Sequence, residues 1–224
     1  MRDMDPSLEE VLEKAAQLQE VVPGAILVGG TAAALYAHHR ESIDNDHVIA
    51  DLGQRFDSIL ENLEALGDWS TSRVQPEKII LGQLGGIETG LRQMLRSRPL
   101  ESAEIDVGGK RLCVPTAAEI LRIKAWLALT RNQTRDYLDI AALADRIGLD
   151  EAAAVLAGID EYYADINGRP EAVATQLVRQ LAEPCPRDVE VTAQLSSYKA
   201  LDERWQDWST VTAVLADLAE RMLR

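Results

Sequence analysis

The chain has few cysteines, and it has no long apolar run. Its 224 residues include only two cysteines, Cys113 and Cys185. They are too few and too far apart for a zinc site or a disulfide framework, so we expect two reduced thiols without a catalytic role. No apolar run approaches the ~20 residues that a membrane-spanning helix needs, and Met1 to Asp5 lack a basic leader. We therefore expect a cytoplasmic protein without membrane contact.

Basic residues are also scarce. The chain has 23 Lys and Arg against 37 Asp and Glu, which gives a formal net charge of −14. This balance argues against general nucleic-acid binding, because phosphate contacts normally require a basic surface. It suits a basic protein partner better. One local group of basic residues remains, and its pattern fits either a solvated edge or a patch for RNA; it consists of Arg92, Arg96, Arg98, Lys110 and Arg111.

Histidine is limited to three residues, His38, His39 and His47. Their closeness in sequence invites a zinc site. Two adjacent residues on a helix cannot both face one point, however, so we favour histidines at the surface or in loops.

A glycine-containing turn is the first motif that carries chemistry. Ala25 to Val28 is a short apolar run typical of a buried strand, and Gly29-Gly30 allows a sharp turn. The residues that follow favour a helix, with Thr31 as its N-cap. Such a helix start offers free N–H groups and the positive end of the helix dipole to a phosphate. The sequence matches neither the Walker loop nor the dinucleotide fingerprint.

Two aspartates, Asp44 and Asp46, follow this turn. Residues two apart on a strand point to the same face, so this pair could hold one or two Mg²⁺ ions against phosphate oxygens. Paired metal ions stabilise both the attacking and the leaving oxygen of an in-line displacement.

Two downstream helices carry further charged residues. Lys124 falls within the apolar arc of its helix and needs an anionic partner, and Asp136 lies near the buried side of the next helix. Two interpretations stay open for this pair, a buried ion pair that clamps the helices or a catalytic pair. For Asp139 we expect an exposed i, i+4 ion pair with Arg135.

The order of elements predicts two regions. Residues 1–115 contain helices at Ser7 to Glu20 and Gln54 to Leu66 and several short strands, and residues 116–224 are helical. The predicted strands after the second helix are Lys78 to Leu81, Ile87 to Gln93, Ala103 to Val107 and Arg111 to Val114. Gly85-Gly86 and Gly108-Gly109 are typical of hairpin turns.

These motifs together resemble a known family. Gly29-Gly30-Thr31 followed by His39 to Asp46 is similar to the motif of the DNA polymerase β nucleotidyltransferase superfamily. The form Arg-x-Ser-x-Asp-x-Asp resembles AbiEii-type toxins of type IV toxin–antitoxin systems. Val114 to Lys124 and Thr134 to Leu143 resemble that family's lysine helix and its Arg-Asp-x-x-Asp helix. The resemblance covers about the first 150 residues.

The resemblance implies a fold and an activity. The fold class would be α+β, a polymerase β-like mixed sheet with flanking helices followed by a helical carboxyl-terminal region. The activity would be Mg²⁺-dependent transfer of a nucleoside monophosphate from a nucleoside triphosphate to an acceptor. The implied site consists of Gly29, Gly30, Thr31 and Ser42 for the phosphates, Asp44 and Asp46 for two Mg²⁺ ions, Lys124 for the triphosphate charge, and Asp136 to orient Lys124 or the acceptor.

Several points stay open at this level. A third metal-binding carboxylate could be Glu88, Glu104 or Asp106. The acceptor could be a tRNA end, a protein hydroxyl or a small molecule, and the toxin resemblance implies an antitoxin partner. The alternatives are an antibiotic-modifying transferase and a catalytically inactive interaction protein that keeps the fold.

Overall fold

The computed structural model describes residues 8–198 and 200–224, and these residues form two compact units. The first unit contains residues 8–32 and 42–116, and the second contains residues 33–41 and 117–224. The start of the predicted first helix at Ser7 and the segment Met1 to Asp5 lie outside the described residues. The sequence-based boundary between residues 115 and 116 stays a prediction.

The first unit combines helices with two sheets. Its elements are α1 (Leu8–Val21), β1 (Ile26–Val28), β2 (Asn45–Ile49), α3 (Leu52–Glu64), β3 (Trp69–Gln75), β4 (Ile79–Leu84), β5 (Ile87–Gln93), β6 (Ser102–Val107) and β7 (Lys110–Pro115). Helix α2 (Gly29–Ala37) begins in this unit and continues into the second.

The larger sheet has the strand order β1-β2-β5-β4-β3. Strands β2 and β5 run parallel, and the other neighbouring pairs are antiparallel. Asp46 is the register partner of Val28 on one side and of Gly90 on the other. Strand β2 therefore places Asp46 between the strand that precedes the glycine turn and the parallel strand β5.

The core of the first unit lies on one face of this sheet. Helix α3 contributes Leu52, Phe56, Ile59 and Leu63, whose spacing of three or four residues forms one apolar stripe. Side chains from the strands, among them Ile49 and Leu91, join the same core. Because side chains alternate along a strand, Asp46 and Gly90 lie on the opposite face.

Strands β6 and β7 form a separate antiparallel hairpin. Its turn is Gly108-Gly109, and both residues have positive φ, 58° and 81°. The hairpin packs against α1 and β1, where Gln19 hydrogen-bonds to both the backbone N–H and the carbonyl of Cys113 at 2.7 and 2.9 Å. The predicted glycine turn is confirmed.

The second unit is helical. Its helices are α4 (Ala117–Thr130), α5 (Thr134–Ile147), α6 (Leu149–Ala157), α7 (Asp160–Tyr163), α8 (Val173–Ala182), α9 (Val189–Ala193) and α10 (Trp208–Arg221). Short 3₁₀ turns lie at Ala164–Ile166, Leu195–Ser197 and Glu203–Trp205. Helix α5 is central, with Tyr137 fully buried and edge-on to Trp208 at a centroid distance of 6.1 Å.

The predicted fold class, α+β with a mixed sheet and a helical carboxyl-terminal region, is confirmed. Strand β3 was not predicted from the sequence. Of the helices formed by the described residues, none combines the length and the apolar character that a membrane span requires.

Candidate nucleotide and metal site

The glycine turn differs from the sequence prediction in where its helix begins. Helix α2 begins at Gly29, so Thr31 lies inside its first turn and is not the N-cap. The Thr31 side chain is fully buried, and its hydroxyl donates to the backbone carbonyl of Asp44 at 2.5 Å. The same oxygen lies 3.1 Å from Oγ of the buried Ser42. Thr31 thus ties the turn to the segment that carries the aspartates.

Asp46 packs directly against glycine on two sides. Gly29 has φ of 76°, and a Cβ atom there would lie 3.0 Å from both Cβ and Oδ2 of Asp46. A Cβ atom at Gly90 would lie 3.2 Å from Oδ1 of Asp46 and 3.0 Å from Leu81. The Asp46 carboxylate therefore occupies space that any larger residue at these positions would fill.

The two predicted metal ligands differ in secondary structure. Strand β2 begins at Asn45, so Asp46 lies within the strand and Asp44 immediately before it. The argument from strand alternation therefore applies to Asp46 and does not extend to Asp44. Both residues are partly exposed. Asp46 forms an ion pair with Arg92, in which Nε and Oδ1 are 3.7 Å apart and both side chains are nearly half exposed.

The donor set fits Mg²⁺ bound together with a triphosphate. Mg²⁺ commonly uses one or two carboxylates, while phosphate oxygens and waters complete its coordination. The Asp46 carboxylate lies against Gly29 at the start of α2, and the Asp44 backbone carbonyl accepts from Thr31 in the first turn of the same helix. Within residues 8–198 and 200–224, no group of three or more His, Cys, Asp and Glu side chains has the arrangement of a metal centre.

The three candidates for a third carboxylate lie on strands of two different sheets. Glu88 lies on β5, two residues before Gly90, and strand alternation places it on the same face as Asp46. Glu104 and Asp106 lie on β6, in the other sheet. Glu104 pairs with Arg111 at 3.2 Å, and Asp106 accepts a hydrogen bond from the Gly109 N–H at 3.2 Å.

The basic residues between the motifs do not form one patch of unpaired cations. Arg96 is buried and donates to the carbonyls of Arg98 and Pro99 at 2.9 and 3.0 Å. On the β6–β7 hairpin, Lys110 pairs with Glu20 at 2.8 Å and Arg111 pairs with Glu104. Arg92 is directed to Asp46.

The second unit contains the other two predicted site residues. Lys124 is 1% exposed and Asp136 is fully buried, and their charged atoms are 3.8 Å apart. The Asp136 carboxylate also lies 3.3 Å from Nη2 of Arg131. Burial raises the pKa of Asp136, although Lys124 and Arg131 act to lower it. The structure thus brings Lys124 and Asp136 together in the protein interior.

The prediction for Asp139 was wrong. Asp139 is fully buried and binds the side chains of His39, Arg40 and Lys124 at 2.7, 2.9 and 2.6 Å. Burial alone would raise the pKa of Asp139, but Arg40 and Lys124 hold it well below its ordinary value. The available signal was the motif itself, since Arg40 and Asp139 are members of the two patterns that carry the family resemblance. Neither residue was among the predicted site residues.

The prediction of surface or loop histidines holds for His38 and His39, which follow α2 in a loop, and is wrong for His47, which lies on strand β2. His38 is exposed, whereas His39 and His47 are 2% and 0% exposed. The buried His39 ring donates from Nε2 to Asp139 Oδ1 at 2.7 Å, and His47 is buried on the interior strand β2.

The sequence pattern of the family described as nucleotidyl transferase AbiEii toxin, type IV toxin–antitoxin system, matches residues 10–211. The chain belongs to this family. It is a nucleotidyltransferase, and the resemblance noted from its motifs is confirmed.

Solved structures share the fold at low sequence identity. MenT4, a nucleotidyltransferase toxin of Mycobacterium tuberculosis H37Rv, aligns with a TM-score of 0.54 at 16% identity over 94% of this chain and 82% of that one. A putative nucleotidyltransferase from Helicobacter pylori aligns with a TM-score of 0.51 at 17% identity, over 96% of this chain and 92% of that one. The antibiotic-resistance factor ANT(2'')-Ia aligns with a TM-score of 0.53 at 14% identity, over 73% of this chain and 96% of that one.

Part of the chain is also similar to much longer proteins. The heme uptake protein MmpL11 of Mycobacterium tuberculosis H37Rv is 42% identical over 113 residues, which are 48% of this chain and 11% of that protein. The mycolic acid-containing lipids exporter MmpL11 of Mycolicibacterium smegmatis is 39% identical over 129 residues, 57% of this chain and 13% of that protein. The chain thus spans about a tenth of the length of these curated relatives.

Proposed function

We propose that the protein transfers a nucleoside monophosphate from a Mg²⁺-bound nucleoside triphosphate to an acceptor hydroxyl, with release of pyrophosphate, in the role of a type IV toxin. One observation carries the proposal: the Asp46 carboxylate lies against Gly29, at the start of helix α2. A metal-binding carboxylate and a phosphate-binding helix start are therefore adjacent, as a metal-bound triphosphate requires.

The site residues of the first unit have distinct proposed roles. Asp44 and Asp46 hold Mg²⁺, which supplies positive charge to the phosphate oxygens when bound. Backbone N–H groups at Gly29, Gly30 and Thr31 bind the β- and γ-phosphates. Ser42, whose hydroxyl lies beside that of Thr31, binds phosphate or orients the aspartates.

The proposed roles in the second unit concern charge. Lys124 neutralises the triphosphate, and Asp136 orients the acceptor. Catalysis then consists mainly of positioning and electrostatic stabilisation. Among the three candidates for a third carboxylate we favour Glu88, because the register of β2 and β5 places it on the face of Asp46.

Calorimetric titration with each of the four ribonucleoside triphosphates tests this function. We expect at least one to bind in the presence of Mg²⁺, and Asp46→Asn to weaken that binding by about tenfold or more, as expected for loss of a charged ligand. The matched control is Asp57→Asn, at an exposed position of α3, which should bind like the wild type. No binding to the wild type with either Mg²⁺ or Mn²⁺ would contradict the proposal.

The acceptor defines two versions of this function. The toxin version has a tRNA end or a protein hydroxyl as acceptor and an antitoxin protein as partner. The second version has a small cationic molecule as acceptor. The net charge of −14 and the local pairing of Lys110 and Arg111 count against tRNA as the acceptor, because they leave little positive charge for a polyanion.

A further inference from the structure

The second unit contains a buried group of charged side chains, here called the Asp139 cluster, that consists of His39, Arg40, Lys124 and Asp139. All four residues are at least nine-tenths buried. Lys124 Nζ lies 2.6 Å from Asp139 Oδ2, whereas the Asp136 carboxylate is 3.8 Å away. The shorter distance is that of a charge-assisted hydrogen bond, and the longer one exceeds hydrogen-bond range. Asp139 is therefore the direct partner of the lysine.

The Asp139 carboxylate is held in one orientation by its other partners. Arg40 donates from Nε to Oδ1 at 2.9 Å and from Nη2 to Oδ2 at 3.2 Å, so the interaction is bidentate. The His39 ring bonds to Oδ1 at 2.7 Å. Rotation of the carboxylate would break the Arg40 contacts, so the oxygen that faces Lys124 is fixed.

The Asp136 carboxylate has different hydrogen-bond partners, although Asp136 lies on the same helix. Its Oδ1 is 3.3 Å from Arg131, a half-exposed side chain, and its Oδ2 has no hydrogen-bond partner among the described residues. A carboxylate held at one oxygen by one distant donor fixes a neighbouring ammonium less firmly than one held at both oxygens.

We propose that Asp139 is the positioning residue for Lys124 in nucleotidyl transfer, the role that sequence reasoning gave to Asp136. Asp139 fixes the location of the ammonium and keeps a negative charge beside it, 2.6 Å away. The inference rests on the proposed function, because it assumes that Lys124 acts on the triphosphate. Asp139 touches neither the nucleotide nor the acceptor in this assignment.

Triphosphate binding in single and double variants tests the assignment. Asp139→Asn keeps the shape of the side chain and removes its charge, and Asp136→Asn makes the same change three residues away. We expect Asp139→Asn to weaken Mg²⁺–triphosphate binding by about tenfold or more, and by more than Asp136→Asn does. In a Lys124→Met background the effect of Asp139→Asn should vanish, because the lysine through which it acts is gone.

A second control separates positioning from general destabilisation. Asp188→Asn removes a carboxylate that accepts from the N–H and hydroxyl of Thr134, both at 2.8 Å, at the start of α5. It should lower the melting temperature while its effect on triphosphate binding stays the same with and without Lys124. If Asp139→Asn does not fold, Asp139→Glu, which keeps the charge and moves it by one methylene, replaces it with the same expectation in both backgrounds.

The outcomes distinguish this inference from the function on which it rests. Equal triphosphate binding by the wild type and the Asp139 variant, a larger effect of Asp136→Asn, or an Asp139 effect that persists without Lys124 would each overturn the positioning role. Those results would leave the proposed function standing. Failure of the wild type to bind any ribonucleotide with Mg²⁺ or Mn²⁺ would overturn the function itself.

Discussion

Among single residues, His47 is a buried histidine whose protonation should lower stability. It lies in the middle of β2 with no exposed surface, and burial lowers its pKa from an ordinary 6.5 to about 3. Between these two values the unfolded chain binds a proton at this position and the folded chain does not. Stability should therefore rise with pH across that window and be constant above it.

The expected size of this effect is about 1 kcal/mol of unfolding free energy per pH unit below pH ~6. Denaturant unfolding at several pH values would measure it, and His47→Leu should remove this part of the slope. The matched control is His38→Asn, since His38 is exposed and asparagine tolerates its φ of 51°. A His47→Leu variant with the same slope as the wild type would show that other groups cause the pH dependence.

Asp139 shows why single-residue roles were hard to predict. On a helical projection of α5 alone, Asp139 falls on a polar face together with Arg135. The structure places it against Arg40, which is 99 residues away in sequence. A periodicity argument sees one helix at a time, so it cannot identify a polar residue that is buried by an ion partner from a distant segment. The family motifs marked both residues but did not show that they meet.

At the element scale, strand β3 depends on a glycine of its neighbour. A Cβ atom at Gly82 of β4 would lie 2.5 Å from both the Ser70 carbonyl oxygen and the Trp69 ring. Backbone cannot move aside as a flexible side chain does, so we expect Gly82→Ala to push β3 away from β4. A loss of about 1–3 kcal/mol of stability is typical of such overpacking.

Thermal unfolding of Gly82→Ala would measure this loss. The matched control is Gly67→Ala, because a Cβ atom at Gly67 meets nothing within 4 Å. That variant should be as stable as the wild type or slightly more stable. Equal melting temperatures for both variants and the wild type would contradict the proposed packing of Trp69 over Gly82.

Strand β3 also shows which kind of strand cannot be predicted from this sequence. Strands β1, β5, β6 and β7 were predicted because they combine apolar residues with flanking glycine turns, and the helices after Thr116 because of their periodicity. Strand β3 is a polar edge strand, and six of its seven residues are exposed. It pairs with β4 on one side only, and of its side chains only Trp69 packs against the core, so the sequence of β3 has no alternating pattern of burial.

At the scale of the whole molecule, the net charge of −14 should decide which acceptors approach easily. The field of an acidic protein attracts cations and repels polyanions over roughly a Debye length, and salt weakens both effects. Lys110 and Arg111 do not reverse this locally, because each is paired with a glutamate. A small cationic acceptor should therefore be favoured by charge, and tRNA should not.

Salt dependence provides the test. Between about 50 and 200 mM KCl, transfer to a small cationic acceptor should become slower, whereas any transfer to tRNA should stay constant or become faster. Initial rates at fixed Mg²⁺ and nucleotide would measure both, and the Lys110→Glu/Arg111→Glu variant should change the tRNA rate by less than about threefold. A tRNA rate that falls steeply with salt, and that this double variant abolishes, would instead show that the hairpin binds RNA despite its ion pairs, and would restore tRNA as the acceptor.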